Sequence, residues 1–317
     1  MPEITQKPSF LERFVDFAIT RPDHPAVVLE GRSHSYGEVL SLARRLASFI
    51  ANHKEGARVS IQLPQGAEAF AAMFGSAMAG AVYSPVNVDA PAERWSKAAL
   101  KFEPEIVVTN DAFAAEARRF ANGATLVSTD SLSADELATP LPPHELVYVR
   151  FTSGSTGEPK GVMIPFDALS HYADWALSAM QVSPDDRWSQ HPNIAFDLSV
   201  LDIFGALCGG ATLYPITEAK DLLLPAKAIR RHGLTIWNSV RSRVRLDGRN
   251  EALRMATMKT PSGGGSVVVV VEGASARSSA SGDGPLAHAA IVNARTAARA
   301  SKRRNGADLL RSPESTT

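Results

Sequence analysis

The residues best equipped for chemistry run from Phe151 to Val162, the stretch FTSGSTGEPKGV. Glycines at 154, 157 and 161 let the backbone turn with positive φ and bring its N–H groups close to a ligand. Successive N–H groups curled into a concavity bind anions, and phosphate suits such a cradle. Thr152, Ser153, Ser155 and Thr156 supply neutral donors beside Gly154 and Gly157, while Lys160 adds a cation within reach of terminal phosphates. The common NTPase loop needs Gly-Lys-Ser/Thr opening a helix. Here Pro159 and Gly161 flank the lysine, and both are poor helix interiors. A lone Gly-x-x-Gly reads as a surface hairpin with a convenient lysine; all twelve residues together read as a phosphate cradle.

A second set of residues lies forty positions on. Asp197, in Phe196-Asp197-Leu198-Ser199, is either a helix N-cap or a carboxylate facing a cavity. Ser199 and Asp202 make a Ser-x-x-Asp that resembles a capping box and closes the helix unaided. That places Asp197 one turn earlier, free for the cavity, and this is the preferred reading. His191 is either a lining residue of the same cavity or an incidental loop histidine. Arg150 interrupts an apolar strand just before the glycine loop and faces either solvent or the phosphates. Trp175 shares a helical stripe with Leu169, Tyr172 and Leu177, which suits core packing. The single cysteine, Cys208, follows Leu207 on an apolar helix and reads as an inert buried thiol. It has no ligand spacing with the histidines, so no metal site is readable.

These groups need a scaffold, and residues 10–237 alternate helical and strand patterns. Helices are expected over 10–19, 36–51, 67–80, 91–102, 167–180, 199–207 and 222–231. Strands are expected over 26–29, 58–63, 82–86, 106–109, 147–151, 211–215 and 234–237, the fifth running into the glycine loop. Strands separated by helices favour a largely parallel sheet covered on both faces, an α/β fold.

Composition divides the chain near residue 240. The 317 residues carry 33 Lys+Arg against 33 Asp+Glu, yet residues 241–317 hold 13 basic and 6 acidic residues, leaving 20 and 27 before them. All 22 aromatic residues lie in the first 240. A segment so poor in large apolar groups does not offset the backbone entropy of folding, about 1–2 kcal/mol per residue, so residues 241–317 are expected to be a disordered tail. Val267 to Val271, five valines in a row, has strong strand propensity but no obvious partner and reads as an aggregation hazard. No stretch approaches the roughly 18 apolar residues of a membrane span. The N-terminus has no signal-peptide pattern, and one cysteine suits a reducing compartment, so the expected address is the cytoplasm.

The twelve residues from Phe151 resemble the phosphate-loop signature of adenylate-forming enzymes: acyl-CoA synthetases, luciferases and the amino-acid-activating domains of peptide synthetases. AMAGAVYSPVNVDAPAER (77–94), HSYGEV (34–39) and FDLSVLDIFGALCGGATL (196–213) resemble further segments of that family. Asp174-Trp175, FDLSVLDIF and LTIWNS (234–239) look closest to amino-acid adenylation domains, among them D-alanine–carrier-protein ligase. The resemblance covers about residues 8–240. It implies the large N-terminal α/β domain of that fold, cut short, with parallel-type sheets sandwiched by helices.

The resemblance also implies an activity: a carboxylate, here an amino acid, attacks the α-phosphate of Mg²⁺·ATP to give an acyl-adenylate and pyrophosphate. A thiol then takes the acyl group, from a phosphopantetheine carrier protein or from coenzyme A. Lys160 and Thr156 would serve catalysis, and the loop 152–160 would hold ATP. Asp197 would pair with the substrate ammonium, a charge-assisted contact, and His191 would line the pocket. The family's Tyr-Gly-x-Thr-Glu segment, whose glutamate holds Mg²⁺, is not found in this sequence; its last tyrosine is Tyr214. Low activity for this chain is therefore expected. The switch to an Arg/Ala/Ser/Gly polymer at Arg241 suggests a changed reading frame, and translating the other two frames past codon 240 should then reveal that segment. The alternative is a non-catalytic fragment or basic-tailed binder, with only non-specific nucleic-acid contact through the tail and an unpaired sheet edge that lowers solubility.

Overall fold

The structure is a computed structural model that describes residues 7–153, 159–240, 253–259 and 265–271. The chain begins with helix α1 (Phe10–Thr20), the hairpin β1 (Pro25–Leu29) and β2 (Arg32–Ser35), and helix α2 (Tyr36–His53). There follow β3 (Arg58–Ile61), α3 (Ala67–Met78), β4 (Val82–Pro85), α4 (Ala92–Phe102), β5 (Ile106–Thr109), α5 (Ala114–Phe120) and β6 (Thr125–Ser128). The hairpin β7 (Leu146–Ser153) and β8 (Pro159–Pro165) leads to α6 (Phe166–Met180), β9 (Arg187–Gln190), α7 (Leu198–Gly209) and β10 (Thr212–Pro215). Helices α8 (Ala219–Leu223) and α9 (Pro225–His232), then strands β11 (Ile236–Val240), β12 (Leu253–Lys259) and β13 (Gly265–Val271), complete it.

Two sheets share these strands. One has the order β6-β5-β3-β4-β7-β8, parallel throughout except where β8 turns back on β7. The other has the order β12-β13-β11-β9-β10-β1-β2. Its central strands β11, β9, β10 and β1 are parallel, with antiparallel strands at both margins. The α/β expectation with parallel-type sheets and helices holds.

Capping explains where the first helices start. Ser9 accepts from the Glu12 N–H and Glu12 reaches back to the Ser9 N–H, and Ser35 and Glu38 repeat the same capping box on α2. HSYGEV is thus a strand-to-helix entry by its own hydrogen bonds. Helix α1 then packs against α2, α6 and α7. Its Phe14 stacks on Phe74 with centroids 4.0 Å apart, and Phe10 meets Phe204 edge-on at 5.3 Å. Burying each such ring contributes about 1.5–3 kcal/mol, so α1 binds α3 and α7 into one core.

Three expectations need correction. The helix expected over 222–231 is two helices, because Pro225 supplies no N–H and starts a fresh helix at its first position. The valine run has a partner: Val267 to Val270 pair antiparallel with Ile236 to Ser239 of β11, and β12 pairs with β13 in turn. Strand β11, where the motif resemblance ends, is consequently paired on both sides, so the unpaired edge expected of a cut-short sheet does not fall there. Among the described residues no helix is long and apolar enough to cross a membrane.

Candidate active site

Strands β7 and β8 flank the glycine-rich stretch. Thr152 faces Lys160 and Ser153 faces Pro159 in their ladder. Thr152 Oγ1 donates to the Lys160 carbonyl at 3.4 Å, and both side chains are exposed. Gly154, Ser155, Thr156 and Gly157 lie outside the described residues, as does the side chain of Ser153. Lys160 sits on a strand, in keeping with neighbours that disfavour a helix. Lys101 of α4 donates to the Pro159 carbonyl at 2.9 Å, and Phe102 meets Phe151 edge-on at 6.4 Å, so α4 braces the hairpin.

Arg150 does not face solvent, one of the two alternatives its position allowed. It is 5% exposed and turns toward α7, where Nη1 donates to the Phe196 carbonyl and, at 3.2 Å, to Ser199 Oγ. Its guanidinium carbon stands 5.1 Å from the Tyr148 ring centre, while Nε and Nη2 have no hydrogen-bond partner. This single side chain ties the strand leading to the glycine turn to the segment that carries Asp197.

Asp197 occupies the N-cap position of α7, yet its side chain makes no capping bond and is exposed. Its charge reaches inward, because it helps to raise the pKa of Tyr148 and of Tyr172, both raised chiefly by burial. The Ser-x-x-Asp capping box does not form. Ser199 Oγ donates instead to the Phe196 carbonyl at 2.7 Å. Asp202 is fully buried and accepts, through Oδ1, from Trp188 Nε1 at 3.0 Å and Asn238 Nδ2 at 2.9 Å. Burial pushes the Asp202 carboxyl well above the usual carboxylate range, against the pull of those two donors. Trp188 reaches it because residue 205 is glycine: a Cβ there would lie 2.6 Å from the indole ring.

His191 is half-buried on the segment between β9 and α7. Its Nε2 lies 2.6 Å from the Asn238 carbonyl, which requires the proton on Nε2, and its ring stacks on Trp237 with centroids 5.0 Å apart. Asn193, on the same segment, donates to Asn87 Oδ1 at 2.8 Å and so joins it to the 77–94 stretch. Arg150 thus brings β7 against the start of α7, while His191, on the segment that leads into α7, is held by β11. Asp174 stands apart, held by Lys7 at 2.6 Å and Arg13 at 2.8 Å. Cys208 is buried, as expected, with Sγ 3.3 Å from the Phe10 carbonyl.

The profile of the AMP-binding enzyme family matches residues 14–281, well over half of the chain. The chain belongs to that family. Pyochelin synthetase PchE of Pseudomonas aeruginosa is 35% identical over 228 residues, which are 70% of this chain and 16% of the relative. Surfactin synthase subunit 2 of Bacillus subtilis is 32% identical over 219 residues, 68% of this chain and 6% of that protein. Among solved structures, the nonribosomal peptide synthetase FmoA3 in its α-methyl-L-serine-AMP bound form superposes with a TM-score of 0.64 at 28% identity, covering 73% of this chain and 27% of that one. The chain therefore spans a small part of these multidomain relatives. The family match runs past residue 240, where the resemblance read from motifs ends, and includes β12 and β13.

Proposed function

We propose that this chain carries the nucleotide-gripping and acid-recognising half of an adenylation domain, activating an amino acid with ATP as acyl-adenylate and pyrophosphate. A carrier thiol, on phosphopantetheine of a carrier protein or on coenzyme A, would then accept the acyl group. The observation that supports this reading is the hairpin register: Thr152 stands opposite Lys160 on the two strands that flank residues 154–158. A turn rich in N–H donors with one cation beside it suits the triphosphate, and fixed donors stabilise charge as pyrophosphate leaves. Lys160, Thr152, Ser153, Gly154, Ser155, Thr156 and Gly157 are the proposed ATP contacts, with Lys160 and Thr156 stabilising the developing charge. Asp197, uncommitted to capping, takes the substrate ammonium. His191 lines the pocket with its ring fixed by Trp237 and Asn238.

Among the described residues no group of three or more His, Cys, Asp or Glu could hold a metal ion.

The test is a panel of amino acids titrated with ATP, read by equilibrium binding and by exchange of labelled pyrophosphate into ATP. ATP and one or a few amino acids should bind together, with exchange slow in this chain. D197N should lose the amino acid by about tenfold or more, as expected for a charged hydrogen bond, while retaining ATP. Absence of ATP binding by the folded chain would overturn the proposal.

A further inference from the structure

Asp202 and Asn238 leave a complementary pair of atoms unused. Asn238 Nδ2 donates to Asp202 Oδ1 at 2.9 Å, and Asp202 Oδ2 and Asn238 Oδ1 are both buried with no partner among the described residues. With the carboxyl ionised both are acceptors, so two acceptors would stand orphaned in the core. One proton removes both defects. On Oδ2 it donates to Asn238 Oδ1, and the acid and amide close a two-bond ring; Trp188 Nε1 remains on Oδ1 at 3.0 Å.

We propose that Asp202 is a protonated positioning acid at neutral pH, clasping Asn238 through two hydrogen bonds and thereby holding α7 against β9 and β11. The geometry gives the clasp a purpose. Trp188 is on β9, Asp202 on α7 and Asn238 on β11, so three elements meet at one carboxyl. Those elements bound the segment that carries His191 and Asp197, and the main-chain oxygen of Asn238 is the atom that holds His191. An acid seated five residues after Asp197 would thus fix the separation of the two pocket walls without touching substrate.

The surroundings favour the neutral form. The groups acting directly on Asp202 are Asn238 and Trp188, both uncharged. Of the elements packed against α7, α6 presents Tyr172, whose hydroxyl feels Asp202 and is itself kept protonated by burial. Helix α1 presents Arg13, whose charge acts on Cys208 and is held by Asp174. From β10 comes Tyr214, whose ring faces Arg187 of β9 at 4.7 Å, and the charge of Arg187 acts on Tyr214. No cation among these is an ion-pair partner of Asp202, and a carboxylate so buried without one takes up a proton.

The test compares the full chain with D202N, which mimics the protonated acid in shape and charge, and with D202A. Infrared difference spectra of wild type against D202N should show the carbonyl stretch of a protonated carboxyl at pH 7, lost in the variant. The sign of the pH dependence follows from a raised folded-state pKa. The stabilisation is complete below the unfolded pKa, about 4, and is lost as pH rises toward the folded value. Relative to D202N, the unfolded-to-folded ratio of wild type should therefore grow about tenfold per pH unit above that point. D202N should hold ATP and amino acid as wild type does, whereas D202A should lose the amino acid. A carboxylate signature at pH 7, or unfolding curves of wild type and D202N that run parallel in pH, would overturn the proposal. If D202N does not fold, the infrared titration of wild type decides alone. None of these spectral or stability readouts depends on catalysis, so the adenylation reading can fail while the clasp stands.

Discussion

The guanidinium of Arg150 on β7 donates to the main-chain oxygen of Phe196, the residue before Asp197. This bond ties β7, the strand that leads to the proposed phosphate contacts, to the segment that carries Asp197. Arg150 is also a buried cation whose Nε and Nη2 lack partners, and replacing such a charge with an apolar group of similar length is often neutral or stabilising. R150M should keep or raise the thermal midpoint in calorimetry. It should also weaken amino-acid binding measured with ATP present while leaving ATP affinity nearly unchanged. A fall in ATP affinity alone would show that Arg150 serves the phosphates after all.

Lys160 faces Thr152 across the hairpin with its side chain in solvent. K160A should cost about 1.5–3 kcal/mol of ATP binding, the usual contribution of a charged hydrogen bond. AMP, which lacks the terminal phosphates, should bind K160A much as it binds wild type. Calorimetric titrations of both nucleotides against both proteins give the comparison, and equal losses for ATP and AMP would place the lysine elsewhere on the nucleotide.

At position 205 a methyl group would meet the Trp188 ring at 2.6 Å. Overpacking of this kind costs about 1–3 kcal/mol. G205A should lower the urea midpoint by a corresponding amount and shift tryptophan fluorescence as the indole leaves Asp202. An unchanged midpoint would mean that α7 and β9 can part freely.

Cys208 is enclosed, and burial pushes its thiol well above the ordinary range. It should stay protonated through mildly alkaline pH and resist thiol reagents in the folded chain. Its modification rate should rise only as urea opens the core. Rapid labelling of native protein would show that α1 detaches from α7.

Much of the fold was legible because helical and strand periodicity survive wherever one face is buried. Helices α1 and α2 were foreseen from apolar spacing, and their capping boxes, Ser9/Glu12 and Ser35/Glu38, emerge from the structure. Strand β9 was not foreseen: Arg187-Trp188-Ser189-Gln190 has one large apolar residue, and its backbone is held by β10 and β11, which are distant in sequence. Strands β6 and β8 were not foreseen either. The glycine stretch and Asp197 were singled out by type and spacing, and the match to the family bears out the lineage implied by the resemblance. Asp202 was misassigned because Ser-x-x-Asp is a local pattern, whereas its partners Trp188 and Asn238 lie fourteen and thirty-six positions away. The available clue was an acid set among nine apolar or glycine residues in LSVLDIFGALCG, which only a buried donor explains. Arg150 gave the matching clue on β7, a cation inside an apolar strand.

Strand β13, drawn from a region with none of the family's motifs, lies alongside β11 from Ile236 to Val240. The strand that offers Asn238 to Asp202 and its carbonyl to His191 is therefore splinted from outside by four valines and Ser266. Proteolytic loss of residues 265–271 would strip the ladder from that side and leave β11 a free docking rail for another chain. Damage far from the nucleotide turn would then loosen the amino-acid pocket first, with the hairpin that carries Lys160 untouched in the other sheet.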